Sequence, residues 1–188
     1  MKNNRIVFSF NAPAVLAFAL LSLGALGLST LTGGASNRLV FSCYASSFLS
    51  PMTYVRLLLH VLGHTSFAHY VSTMALSLAL GPIVEERYGS GRLLLMFTVT
   101  AVVSGLFHMF FAGSSMLLGA SGIVYMLIFL ASTAGTRGGG IPLTLVAVAA
   151  LYLTQEILGG LFSADNISHL THIVGGVCGA LMGLFMRK

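Results

Sequence analysis

Charge is what this sequence has least of. Only 7% of its 188 residues are Asp, Glu, Lys or Arg, 56% are hydrophobic, and the mean hydropathy is +0.95. Soluble domains carry about 25% charged residues, so this composition excludes an ordinary soluble fold and indicates an integral membrane protein. Acid is scarcer still. Glu85, Glu86, Glu156 and Asp165 are all there is, and proton relays and cation paths usually draw on more. The net charge of +5 invites a nucleic-acid reading, but the nine basic residues are scattered and never cluster with aromatics, so no nucleic-acid partner is expected. Cysteine is limited to Cys43 and Cys178, which have no zinc-site spacing and are not expected to form a disulfide.

Apolar runs, by contrast, are abundant. Six can cross a bilayer: residues 13–31, 67–84, 93–111, 119–134, 141–162 and 167–186. The breaks between them carry Gly, Ser, Pro and charge, as in "EERYGSGR" and "GTRGGGIP". No internal repeat stands out. The expected fold is therefore an all-α membrane protein, a bundle of six transmembrane helices forming a single domain over 1–188, with the lipid bilayer as its surroundings. The first run follows Lys2 and Arg5 but is long for a signal peptide and lacks a clear cleavage site, so it reads as an uncleaved anchor.

Orientation follows the basic residues. With the N-terminus cytoplasmic, Lys2, Arg5, Arg87, Arg92, Arg137, Arg187 and Lys188 lie inside, and only Arg38 and Arg56 lie outside. An even number of spans returns the C-terminus to the same side, which predicts both termini in the cytoplasm. The connection 32–66 and the loops before Gly119 and around Asp165 then share the outer side. The fourth run is short. Its 16 residues at about 1.5 Å each give roughly 24 Å, against about 30 Å of hydrocarbon. Its start, with Ser121, lies below the outer surface, where irregular backbone is tolerated only beside protein or a water-filled hollow.

Ser121 stands among small residues in "LLGASGIVYM". Packing between helices explains such a stretch, but so does a nucleophile, which needs a base within reach. Six histidines are available: His60, His64, His69, His108, His169 and His172. His172 is followed by Gly175, Gly179 and Gly183, which share its helix face and let a neighbouring backbone come close. "GASG" gives the fourth run a matching smooth patch, so Ser121 and His172 can meet. Tyr125 lies one turn after Ser121, placed to brace the imidazole. His169 is a competitor on nearly the same face.

Taken together, "VRLLLHVLGHTSFAH", "VEERYGSGRL", "GASGIVY" and "HIVGG" with its glycine ladder resemble the bacterial rhomboid intramembrane serine proteases, in order, from Arg56 to the end of the chain. The resemblance implies a six-helix core in which a Ser-His dyad, with no acidic third member and no metal or organic cofactor, cleaves peptide bonds in or beside the transmembrane segments of single-pass membrane proteins. It gives Ser121 as nucleophile, His172 as general base, Tyr125 as the aromatic beside it, and His69, with Gly119 and backbone N–H groups near Ser121, as oxyanion support. Arg56 and Glu85 match structural positions. Where the family usually has asparagine, four residues after His69, this chain has Thr73, whose shorter hydroxyl donates a single hydrogen bond.

Plainer readings stand beside these. His60 and His64, at i and i+4, suit a metal if helical, or else a network that anchors the outer loop. His108 reads as an interfacial histidine at the end of the third run. Glu156 has no assigned role. Two other functions remain open: an inactive rhomboid-like protein that binds membrane clients, suggested by Thr73, and a histidine-based metal or proton transporter, which the shortage of acid disfavours.

Overall fold

In a computed structural model the described residues are 11–111, 115–134, 141–162 and 166–186. Among the described residues, eight α-helices follow one another: α1 (Pro13–Leu31), α2 (Ala35–Leu39), α3 (Pro51–Leu59), α4 (Phe67–Tyr88), α5 (Ser90–Phe111), α6 (Ser121–Ala134), α7 (Leu143–Phe162) and α8 (Asn166–Phe185). The all-α class is as expected, and each predicted run has a helix. Helix α4 runs four residues further than read, to Tyr88, because its last turn is tied down by Glu85, described below. Helix α6 begins at Ser121, two residues later than read, because Gly119 has a φ of +127° that no helix accommodates.

The connection 32–66 holds more structure than its sequence suggested. It contains α2, α3 and a 3-10 turn, His60–Leu62. Pro51 opens α3 at a position where its missing N–H is no loss. Arg56 then holds the segment together: its Nε donates to the Leu39 carbonyl at 3.0 Å, and its guanidinium lies 4.5 Å over the Tyr44 ring.

Helix α6 lies at the centre, with Ile123, Met126, Leu127 and Leu130 all at 0% exposure. The outer helices present apolar residues outward instead, such as Leu20, Leu21 and Leu31 on α1 and Phe110 and Phe111 on α5. That pattern is a liability in water and ordinary in lipid. By length and composition α1, α4 and α5 can each cross a membrane. Lys2, Arg5, Arg137, Arg187 and Lys188, which carry much of the orientation argument, lie outside the described residues.

Glu85 joins three helices. Pro13 has no N–H, so Ala14 and Val15 present the first free donors of α1, and both donate to the Glu85 carboxylate at 2.9 and 3.0 Å. The carboxylate also accepts from Ser90 Oγ, at the start of α5, at 2.6 Å. A negative charge at a helix N-terminus satisfies orphan donors and complements the dipole. Glu85 is 4% exposed, so its removal leaves buried donors without partners. Glu85→Ala is expected to lower stability by roughly 3 kcal/mol, read as an earlier unfolding midpoint in detergent, with Glu85→Gln intermediate. An unchanged midpoint in both variants contradicts this role.

Candidate active site

The serine is placed by a stapled loop. Residues 115–120, which lead into α6, pair with the first connection: Cys43 and Leu117 exchange two backbone hydrogen bonds of 2.8 Å, and the Gly119 N–H donates to the His60 carbonyl at 2.9 Å. On the other side His108, at the end of α5, has Nε2 3.0 Å from the Ser115 carbonyl. His108 is therefore buried and anchors the Ser115 carbonyl, a role that its reading as a lone histidine at the end of the third run did not include. Cys43 is equally enclosed. Burial pushes its thiol up to about 11, against a smaller downward pull from Arg56, and both cysteines are free thiols.

Ser121 follows as the first residue of α6. The Ala120 carbonyl accepts the first intrahelical bond, from Val124 N–H, so the N–H groups of Ser121 and its successors form the unsatisfied, partly positive end of the helix. Helix α8 packs against this helix almost backbone to backbone. A Cβ on Gly175 would collide with the Gly122 backbone, one on Gly179 with the Met126 backbone, and one on Gly183 with the Thr133 side chain. The predicted glycine ladder is thus the contact surface itself.

This contact and the N-terminal turns of α4 enclose a cavity of about 360 Å³, lined by His69, Ser72, Thr73, Leu117, Ser121, Thr171 and His172. The structure therefore brings Ser121, His172, His69 and Thr73 to one hollow. Gly119 borders it from the loop: a Cβ there would lie 2.8 Å from His69 Cε1 and 3.0 Å from Nε2, so this glycine is needed for close approach as well as for its φ. Tyr125 stacks on the His172 ring with centroids 4.6 Å apart and planes 9° from parallel, and is itself met edge-on by Tyr152 at 5.5 Å. His169 stands edge-on to His172 at 6.3 Å, outside the cavity lining. A second pocket of about 10 Å³ lies behind Ser121, lined also by His60 and Ser104. With polar groups such as these it suits one water.

His60 and His64 are held in hydrogen bonds. His60 Nε2 is 3.0 Å from the Ala101 carbonyl, and His64 has Leu62 O and Thr73 Oγ1 each 3.0 Å from its two ring nitrogens. Among the described residues no group of three metal-ligating side chains comes together. The side chain of Glu156 lies outside the described residues. Sequence reading missed two contacts: His64 to Thr73, and Thr65 Oγ1 to His69 Nδ1 at 3.1 Å. The second had a sequence signal, since Thr65 precedes His69 by four residues across the Ser66 N-cap, whose side chain accepts from His69 N–H.

A family profile described as the rhomboid domain matches residues 51–188. Among curated proteins, the chain is 33% identical over 135 residues to the rhomboid protease GlpG of Photorhabdus laumondii, covering 69% of this chain and 46% of that protein. It is 28% identical over 182 residues to the rhomboid protease GlpG of Yersinia pestis strain Pestoides F, covering 92% of this chain and 62% of the relative. The same figures hold for the GlpG of Yersinia pseudotuberculosis serotype O:3. The chain thus spans roughly half to three-fifths of the length of these relatives.

The two anchoring histidines give the scaffold a pH dependence. Burial lowers His60 from 6.5 to about 4, against the bond to Ala101, and lowers His64 likewise, against the bond to Leu62. Both are neutral in the fold and take up protons more readily unfolded, so their contribution is complete above pH 6.5 and is lost as pH falls toward 4. The thermal midpoint in detergent is expected to fall across that window, less steeply in His60→Gln and His64→Gln. Equal slopes in all three proteins contradict the assignment.

Proposed function

The chain belongs to the rhomboid family and is an integral membrane protein, and we propose that it is an intramembrane serine endopeptidase acting through a Ser121–His172 dyad. The observation that carries this reading is the shared cavity: Ser121 at a helix N-terminus, His172 stacked on Tyr125, and His69 all border one half-buried hollow. His172 takes the Ser121 proton as Oγ attacks the scissile carbonyl, then returns it to the departing amine; water later hydrolyses the acyl-enzyme through the same ring. Negative charge on the tetrahedral oxygen meets His69 and the N–H groups at the start of α6. Tyr125 fixes the imidazole plane. No cofactor enters this chemistry.

The proposed substrates are single-pass membrane proteins cut in or beside their transmembrane helices. A helix hides its carbonyls in hydrogen bonds, so a substrate must unwind locally, which favours Gly or Pro near the cut and a small residue at it. The proposed setting is a bacterial plasma membrane with both termini cytoplasmic. A transporter reading has less to stand on, because His60 Nε2 and both ring nitrogens of His64 are occupied by protein carbonyls and a hydroxyl.

Purified protein is expected to label at Ser121 with a fluorophosphonate and to cleave a model single-pass substrate. Ser121→Ala loses both, and His172→Ala lowers cleavage by about 10³-fold or more. Full cleavage by Ser121→Ala sinks the proposal, and client capture without labelling favours a binding protein instead.

A further inference from the structure

The oxyanion side of the cavity has more polar neighbours than available protons. We propose that Thr65 is a positioning residue holding His69, already read above as oxyanion support, in its Nε2–H tautomer, and that Thr73 is a structural pin whose hydroxyl proton is committed to His64. The proposal rests on the serine-protease reading and concerns how that site works.

The His64 ring, at 0% exposure, fixes the logic. Nδ1 lies 3.0 Å from the Leu62 carbonyl, and Nε2 lies 3.0 Å from Thr73 Oγ1. A carbonyl only accepts, so Nδ1 carries the proton. A neutral imidazole has one N–H, which leaves Nε2 bare, and its partner must donate. Burial keeps the ring neutral by lowering it to about 4. The single proton of the Thr73 hydroxyl therefore points at His64. The carbonyls of His69 and Tyr70, to which Thr73 Oγ1 can also donate at 3.0 and 3.1 Å, compete for that same proton and bring no second one, so none is left for the oxyanion.

Two other neighbours are committed as well. The Gly119 N–H donates to the His60 carbonyl at 2.9 Å, and Ser72 Oγ donates to the His69 carbonyl at 2.9 Å. His69 is differently placed. The ring edge carrying Nε2 faces Gly119, two residues before Ser121, while Nδ1 is 3.1 Å from Thr65 Oγ1. If Thr65 donates to Nδ1, Nε2 bears the hydrogen and can stabilise developing negative charge. If Nδ1 held the hydrogen instead, Nε2 would turn a lone pair toward the oxyanion, which opposes catalysis. The threonine that replaces the family's usual asparagine is thus withdrawn from the oxyanion, and a neighbouring threonine orients the donor that remains.

Histidine-ring nitrogen NMR of the full chain in detergent, above the titration range of the rings, reads the tautomers without requiring turnover. The expected result is hydrogen on Nδ1 of His64 and on Nε2 of His69, with His69 becoming mixed in Thr65→Val and recovering in Thr65→Ser. In cleavage assays Thr65→Val lowers kcat about ten- to a hundred-fold with KM nearly unchanged, and Thr65→Ser restores it. Thr73→Val lowers the unfolding midpoint and lowers kcat by less than about ten-fold. Hydrogen on Nδ1 of His69 in the wild type, a Thr65→Val variant with unaltered tautomers, or a loss of about 10² to 10³ in kcat for Thr73→Val with its midpoint intact overturns the inference. Absence of wild-type cleavage removes the protease reading, and the tautomers still decide the hydrogen-bond assignment.

Discussion

The approach of α8 to α6 is the constraint on which the site depends. Between helices in lipid there is little hydrophobic force to draw on, since the tails are as apolar as leucine, and close van der Waals contact takes its place. Gly175 and Gly179 allow that contact by offering no side chain where the backbone of α6 passes. The consequence is chemical. His172 stands one turn before Gly175 on the same helix, so the separation of the helices sets the separation of Ser121 from its proposed base. The stack of Tyr125 on His172 crosses the same interface, from α6 to α8.

Around this contact, buried hydrogen bonds perform tasks that a loop in water leaves to solvent. The segment before Ser121 is fastened by Leu117 to Cys43, by Gly119 to His60, and by Ser115 to His108. Asn37 Nδ2 donates to the His64 carbonyl at 2.9 Å and extends the network to α2. Each bond satisfies a polar group that would otherwise be costly to bury. The histidines at 60, 64 and 108 are therefore fasteners, and the neutrality of His60 and His64 in the fold belongs to that role. Glu85 does the corresponding work at the other end of the bundle, where it joins the start of α1 to the turn between α4 and α5.

Much of this was legible in the sequence because the bilayer simplifies the physics. Low charge and apolar runs gave the helices, and the glycine spacing after His172 identified the contacting face. The meeting of Ser121, His172 and Tyr125 followed from the small-residue spacing, and the placing of His69 and Thr73 beside them from the family resemblance. What escaped was set by tertiary contact. The helices within 32–66 are short and amphipathic, and their ordering depends on the Arg56 and Cys43 contacts. Thr65 stood four residues before His69 and His64 four after His60, but which of these spacings becomes a contact is decided by the turn that joins α3 to α4. Thr73 was visible as a departure from the family pattern, but the destination of its proton depends on the His64 ring, which lies in a different element.

The most direct measurement of the account is the rate of fluorophosphonate labelling at Ser121 in Gly175→Ala, compared with Gly27→Ala. An added Cβ at Gly175 meets the Gly122 backbone and forces α8 away from α6, whereas one at Gly27 meets nothing within 4 Å. The account predicts slow labelling in Gly175→Ala and wild-type labelling in Gly27→Ala, both in folded protein. Wild-type labelling in Gly175→Ala would contradict it, because the serine would then be activated without the close approach of the two helices.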